Sequence, residues 1–139
     1  MVIKIIHVDD EENCLELTRE IMALYDKDLN IESFTSPRSV IENVQQKEPD
    51  LIISDYKMPE MNGIEFIKLL RKYSDVPVIL YTGNEEESIA TEAFEAGAED
   101  YIMKSNDALH YLLLLKRIKN AVDSYRIKKS FDDTVMAQV

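Results

Sequence analysis

A single cysteine, Cys14, stands in 139 residues, so no disulfide can form within the chain. Its place inside a predicted first helix suits a small buried hydrophobe better than a reactive thiol, and the chain fits a reducing cytoplasm. Three glycines and four prolines are scattered, and no stretch rich in Pro, Gly or Ser divides the chain into domains. No internal repeat is present. Long hydrophobic runs are also missing. The apolar start, Val2 to Val8, is broken by Lys4 and His7 and lacks the basic leader and cleavage site of a signal peptide. Nothing approaches the ~18–20 apolar residues of a membrane span. Positive charge is scarce, with 16 Lys and Arg against 27 Asp and Glu, a net charge of -11. Such a surface repels nucleic acid and anionic membranes, so neither is an expected direct partner.

What is there reads as strand, helix, strand, helix, repeated. Val2–Val8 is a β-branched run stopping at two aspartates. Glu11–Tyr25 carries Leu15, Leu17, Ile21, Met22 and Leu24 near helical spacing. Asn30–Phe34 alternates as a short strand. Thr35 or Ser36 then caps a helix with Pro37 at its first position, running to about Gln46. Asp50–Ser54 is a buried-type strand, followed by the turn-rich segment Tyr56–Gly63 and a helix beginning near Gly63. Pro77–Tyr81 is another buried-type strand, Glu85–Ala96 a helix with Gly97 closing it, and Asp100–Met103 the last strand. Asn106 or Asp107 caps a final helix reaching about Lys128. Five strands alternating with five helices predict an α/β fold, a parallel sheet covered by helices on both faces.

In such a sheet, ligands gather outside the C-terminal ends of the strands. The first strand ends at Asp9-Asp10, the third at Asp55, the fourth at Thr82 and the fifth at Lys104. Three aspartates, a hydroxyl and an amine therefore converge on one edge. Clustered carboxylates repel one another unless a cation intervenes. Oxygen ligands with no His or Cys expected nearby point to Mg²⁺ or Mn²⁺ rather than zinc. A carboxylate can serve as nucleophile toward a phosphoryl donor, and a cation, Lys104 and the Thr82 hydroxyl would stabilise the transferred charge. The plainer alternatives stand beside this reading. The aspartates can be solvated strand ends or caps, Thr82 a turn residue, and Lys104 a surface lysine. His7 carries no chemistry on this reading and His110 reads as a surface residue.

With VDDEEN at 8–13, DLIISDYKMPEMNG at 50–63, PVILYTGN at 77–84 and AFEAGAEDYIMK at 93–104, the chain resembles the receiver domains of two-component response regulators over residues 1–126. The resemblance implies a flavodoxin-like, doubly wound sheet in the order 2-1-3-4-5. Asp55 matches the phosphoacceptor. Asp10 matches the direct Mg²⁺ ligand, Asp9 its neighbour acting through water, and the Lys57 backbone carbonyl a third protein ligand. Thr82, followed by Gly83, matches the switch hydroxyl, Lys104 the lysine that meets a phosphoryl oxygen, and Tyr101 the aromatic switch, whose alternative is a plain sheet residue. The family often has Pro after the lysine, where this chain has Ser105. Lys57 adds a positive side chain that either tunes phosphoryl lifetime or points to solvent.

The implied function is a phosphorylation-driven switch that takes its phosphoryl group from a sensor histidine kinase or phosphotransfer protein. The implied partners downstream are a protein or a C-terminal output domain, with a homodimer through the fourth helix, fifth strand and fifth helix as a further option. An Mg²⁺-dependent phosphohydrolase with an aspartyl nucleophile is the enzyme alternative. It would place an acid two residues after the nucleophile, where Lys57 stands. A flavin-binding flavodoxin would need phosphate-cradling loops, where VDDEEN places acids. Residues 127–139 read as a tail or truncated linker. Leu115, Ile118, Val122 and Tyr125 recur at three-and-four spacing, either to pack on the sheet or to continue as a coiled coil.

Overall fold

The apolar runs become the middle of a sheet and the amphipathic segments its cover. The computed structural model describes residues 1–83 and 87–138. Its elements in chain order are β1 (Ile3–Val8), α1 (Glu12–Tyr25), β2 (Leu29–Phe34), α2 (Pro37–Lys47), β3 (Leu51–Ser54), α3 (Gly63–Leu70), β4 (Val78–Thr82), α4 (Glu87–Ala96), β5 (Asp100–Met103) and α5 (Leu109–Ala137). All strand pairings are parallel and the order is β2-β1-β3-β4-β5. Every residue of β3 and β4 is buried, as continuous apolar runs require in a sheet covered twice. The edge strands β2 and β5 mix buried with exposed positions.

Alternation along the strands divides the interior into two cores. Ile6, Val8, Ile52, Val78 and Leu80 face α2, α3 and α4, meeting Val44, Phe66 and Ala93. Ile5, Ile53, Ile79 and Tyr81 face the other way and meet Met22 of α1 with Leu114, Ile118 and Val122 of α5. The stripe on the last helix is thus core: Ile118 and Val122 are fully buried, and Leu115 and Tyr125 half-buried.

Local signals set the helix starts. Ser36 rather than Thr35 caps α2, its hydroxyl accepting from the Ser39 N–H, with Pro37 in the first turn. Asn62 and Glu65 form a reciprocal capping box at α3. The Asp107 carboxylate accepts from the Leu109 N–H at the head of α5 (2.9 Å). The start of the fourth helix at Glu85 lies outside the described residues. The far end of α5 departs from expectation: the helix runs to Ala137 instead of stopping near Lys128. No glycine or proline follows Gly97, so nothing interrupts the hydrogen-bond ladder. With 29 residues α5 is about 43 Å long, outreaching the sheet. Among the described residues, every one from Ile127 onward is exposed.

Candidate functional site: the acidic edge of the sheet

Four of the five strands, β1, β3, β4 and β5, deliver a polar residue to the same edge. The Asp9 N–H donates to the Phe34 carbonyl and the Asp55 N–H to the Val8 carbonyl, so both aspartates are pinned where their strands end. Thr82 closes β4 itself, one residue later than the sequence reading ended that strand, and its carbonyl accepts from the Lys104 N–H (2.9 Å). The three aspartates meet as expected: one carboxylate oxygen from each of Asp9, Asp10 and Asp55 lies within 4.8 Å of the others.

Burial separates their roles. Asp9 is fully buried, Asp55 is 6% exposed and Asp10 faces solvent. Asp9 spends one oxygen on the Glu11 N–H (2.9 Å) and the other on the Lys104 ammonium (2.7 Å). The same ammonium stands 3.7 Å from Asp55 Oδ1, which also accepts from the Tyr56 N–H (2.9 Å). Lys104 is therefore held between the two buried acids.

Burial raises the Asp55 carboxyl above the usual carboxylate range, and the neighbouring Asp9 charge raises it further. Lys104, the Thr82 hydroxyl and the Tyr56 N–H pull the other way without cancelling that rise. Burial pulls the Lys104 ammonium down, but the Asp9 hydrogen bond and charge, with Asp55, overcome it and hold Lys104 above its ordinary value. The site thus has more buried negative charge than one lysine neutralises. Its donor set at this edge is all oxygen, which fits a hard divalent cation such as Mg²⁺.

The loop after Asp55 is shaped by close approach. A Cβ at Gly63 would lie 2.6 Å from both the Asp55 carbonyl and a Leu80 methyl, so only glycine fits there. The Gly63 N–H donates to the Tyr56 carbonyl (2.6 Å), folding the segment back on itself. The Lys57 side chain is exposed, in line with the solvent-pointing alternative. Gly83 is exposed, and a Cβ there would meet nothing within 4 Å. Tyr101 is half-buried and rests against the α2–α3–α4 core.

Three residues to which the sequence reading assigns no chemistry, His7, Cys14 and His110, stand near the site. His7, two residues before Asp9 on the same face of β1, is fully buried. Cys14 is half-buried on α1, and burial and Asp9 push its thiol up to about 11. His110 is half-buried rather than a surface residue, stacked on Tyr81 with its Nε2 2.6 Å from the Tyr81 hydroxyl. Its Nδ1 faces the Asp107 carbonyl, which can only accept. Nδ1 therefore carries a proton, and in the neutral ring the Tyr81 hydroxyl donates to Nε2. Strand alternation could have placed His7 beside Asp9; the two helical residues depend on how α1 and α5 dock.

Comparison with known proteins places this geometry in context. The sequence profile of the response regulator receiver domain matches residues 5–116. The chain is 47% identical over 73 residues to the KDP operon transcriptional regulatory protein KdpE of Escherichia coli, covering 52% of this chain and 32% of KdpE. It is 29% identical over 127 residues to the transcriptional regulatory protein SrrA of Staphylococcus aureus, covering 91% of this chain and 52% of SrrA. The chain thus spans about half or less of the length of these relatives. Among solved structures, the response regulator domain of Thermotoga maritima CheB superposes with a TM-score of 0.78 at 29% identity, over 88% of this chain and 98% of that one. No described helix is long and apolar enough to cross a membrane. On the profile match, the five-stranded order and the acidic strand-end site together, the chain belongs to the response regulator receiver domain family.

Proposed function

We propose that this chain is the phosphorylation switch of a two-component system and that Asp55 is its phosphoacceptor. The observation that carries the reading is Lys104, held between buried Asp9 at 2.7 Å and Asp55 at 3.7 Å. An ammonium so placed already sits beside the oxygen to which an anion would be added. The donor is a phosphohistidine of a sensor kinase or phosphotransfer protein. An Asp55 oxygen attacks phosphorus, the P–N bond breaks, and the donor ring, already protonated on its other nitrogen, leaves as neutral imidazole. Asp10, Asp55, Asp9 through water and the Lys57 carbonyl would hold Mg²⁺ or Mn²⁺, which when bound neutralises charge on the transferring group.

The chain's own residues then respond. Lys104 divides its hydrogen bonds between Asp9 and a phosphoryl oxygen. The Thr82 hydroxyl turns to another phosphoryl oxygen, and the backbone at Gly83, free of a side chain, follows it. Tyr101 packs inward as Thr82 vacates space, reshaping the α4–β5–α5 face for a partner protein, an output domain or a second copy. Coupling energies of such switches run about 1–3 kcal/mol, so the change is a reversible shift of populations. The chemistry is confined to taking up and losing the chain's own phosphoryl group. A phosphohydrolase would want an acid at position 57, where an exposed lysine side chain lies.

The test is intact mass after treatment with acetyl phosphate and Mg²⁺. One phosphoryl adduct is expected on the natural chain and none on Asp55→Asn. An adduct that persists in the variant would move the acceptor elsewhere.

A further inference from the structure

Directly beneath the acidic edge lies a second group of ligand atoms, of different chemistry. His7, Asp9 and Cys14 each bring one ligand atom, and all three atoms lie within 4.8 Å of one another. His7 is fully buried, yet among the described residues neither ring nitrogen finds a hydrogen-bond partner. A buried polar atom left unpartnered costs on the order of 1–3 kcal/mol, and most find a partner. An apolar residue at position 7 would avoid that cost, since Ile3 and Ile5 on the same face are core residues. We propose that His7, Asp9 and Cys14 form a site for a borderline-soft divalent metal such as Zn²⁺, distinct from the all-oxygen Mg²⁺ site and sharing Asp9 with it.

The chemistry of the three ligands suits that metal. The His7 ring, buried with both nitrogens unpartnered among the described residues, can present a nitrogen lone pair to a metal. Binding exchanges the Cys14 thiol proton for the metal: the S–H bond breaks, an S–metal bond forms, and the proton goes to solvent. The thiolate and the Asp9 carboxylate together balance a divalent charge. Three protein ligands leave the fourth tetrahedral position to water. Because Cys14 is only half-buried, the ion has a route in beside α1. Zinc on Asp9 competes with Lys104 for the same carboxylate, so occupancy of this site and of the Mg²⁺ site should weaken each other equally.

The test uses Co²⁺ as a spectroscopic stand-in, added to the full chain without Mg²⁺, because filling the oxygen site would weaken binding at the site that shares Asp9. A cobalt–thiolate charge-transfer band in the near ultraviolet is expected for the natural chain and absent in Cys14→Ser. His7→Leu should keep the fold and weaken Co²⁺ binding by at least about tenfold; His7→Phe serves if the leucine variant does not fold. No thiolate band on the natural chain, or unchanged affinity in the folded His7 variants, would overturn the site. The readout is metal absorption, so it succeeds or fails independently of whether Asp55 takes a phosphoryl group.

Discussion

At the scale of single residues, the site is an imbalance of charge held in place by backbone. Two buried aspartates face one lysine, and the Asp55 carboxyl is raised first by burial and then by Asp9. The sign of the consequence is fixed. A carboxyl raised in the folded state favours folding while protonated, and that contribution is lost as pH climbs through its folded value. Asp55→Asn removes the penalty. In chelator, the variant and the natural chain should therefore differ least near pH 3. The variant should gain a growing advantage, a few degrees in Tm, as pH rises to 7. Thermal melts across that range check this, and an advantage that shrinks with rising pH would contradict it. Asp9, Asp10, Asp55, Thr82 and Lys104 were legible because each sits where an apolar strand stops. The His7–Cys14 and Tyr81–His110 pairings were not, because they depend on helix docking that periodicity does not encode.

At the scale of elements, strands were read well and helix ends less well. β3 and β4 are continuous apolar runs, a pattern few alternatives share. The α5 terminus is not legible in the apolar stripe, because the stripe ends near Tyr125 while the helix continues to Ala137. Up to Val122 the buried face follows the sheet; beyond Tyr125 there is no sheet to follow. The exposed Ile127 and Phe131 then lie on another side of the helix, while the backbone ladder continues. Residues 127–138 are exposed and belong to neither core cluster. Arg126 belongs to the domain, since it donates to the Val2 carbonyl and to Asp50 (both 3.0 Å). A chain ending at Arg126 should melt within about 2 °C of the full chain. A fall of more than about 5 °C would show that the extension contributes to folding stability.

At the scale of the whole molecule, the parallel sheet brings four distant segments to one edge. Asp9 and Lys104 are 95 residues apart in sequence and 2.7 Å apart in space. Neither could be assigned a role alone; the alternating element order supplies the convergence. The central claim is that the Asp55 carboxylate, and no other, takes the phosphoryl group. Borohydride reduces an acyl phosphate to an alcohol and leaves free carboxylates alone. After treatment with acetyl phosphate and Mg²⁺, then borohydride, peptide mapping should find homoserine in place of aspartate at position 55 only. Conversion at Asp9 or Asp10 with Asp55 intact would contradict the account.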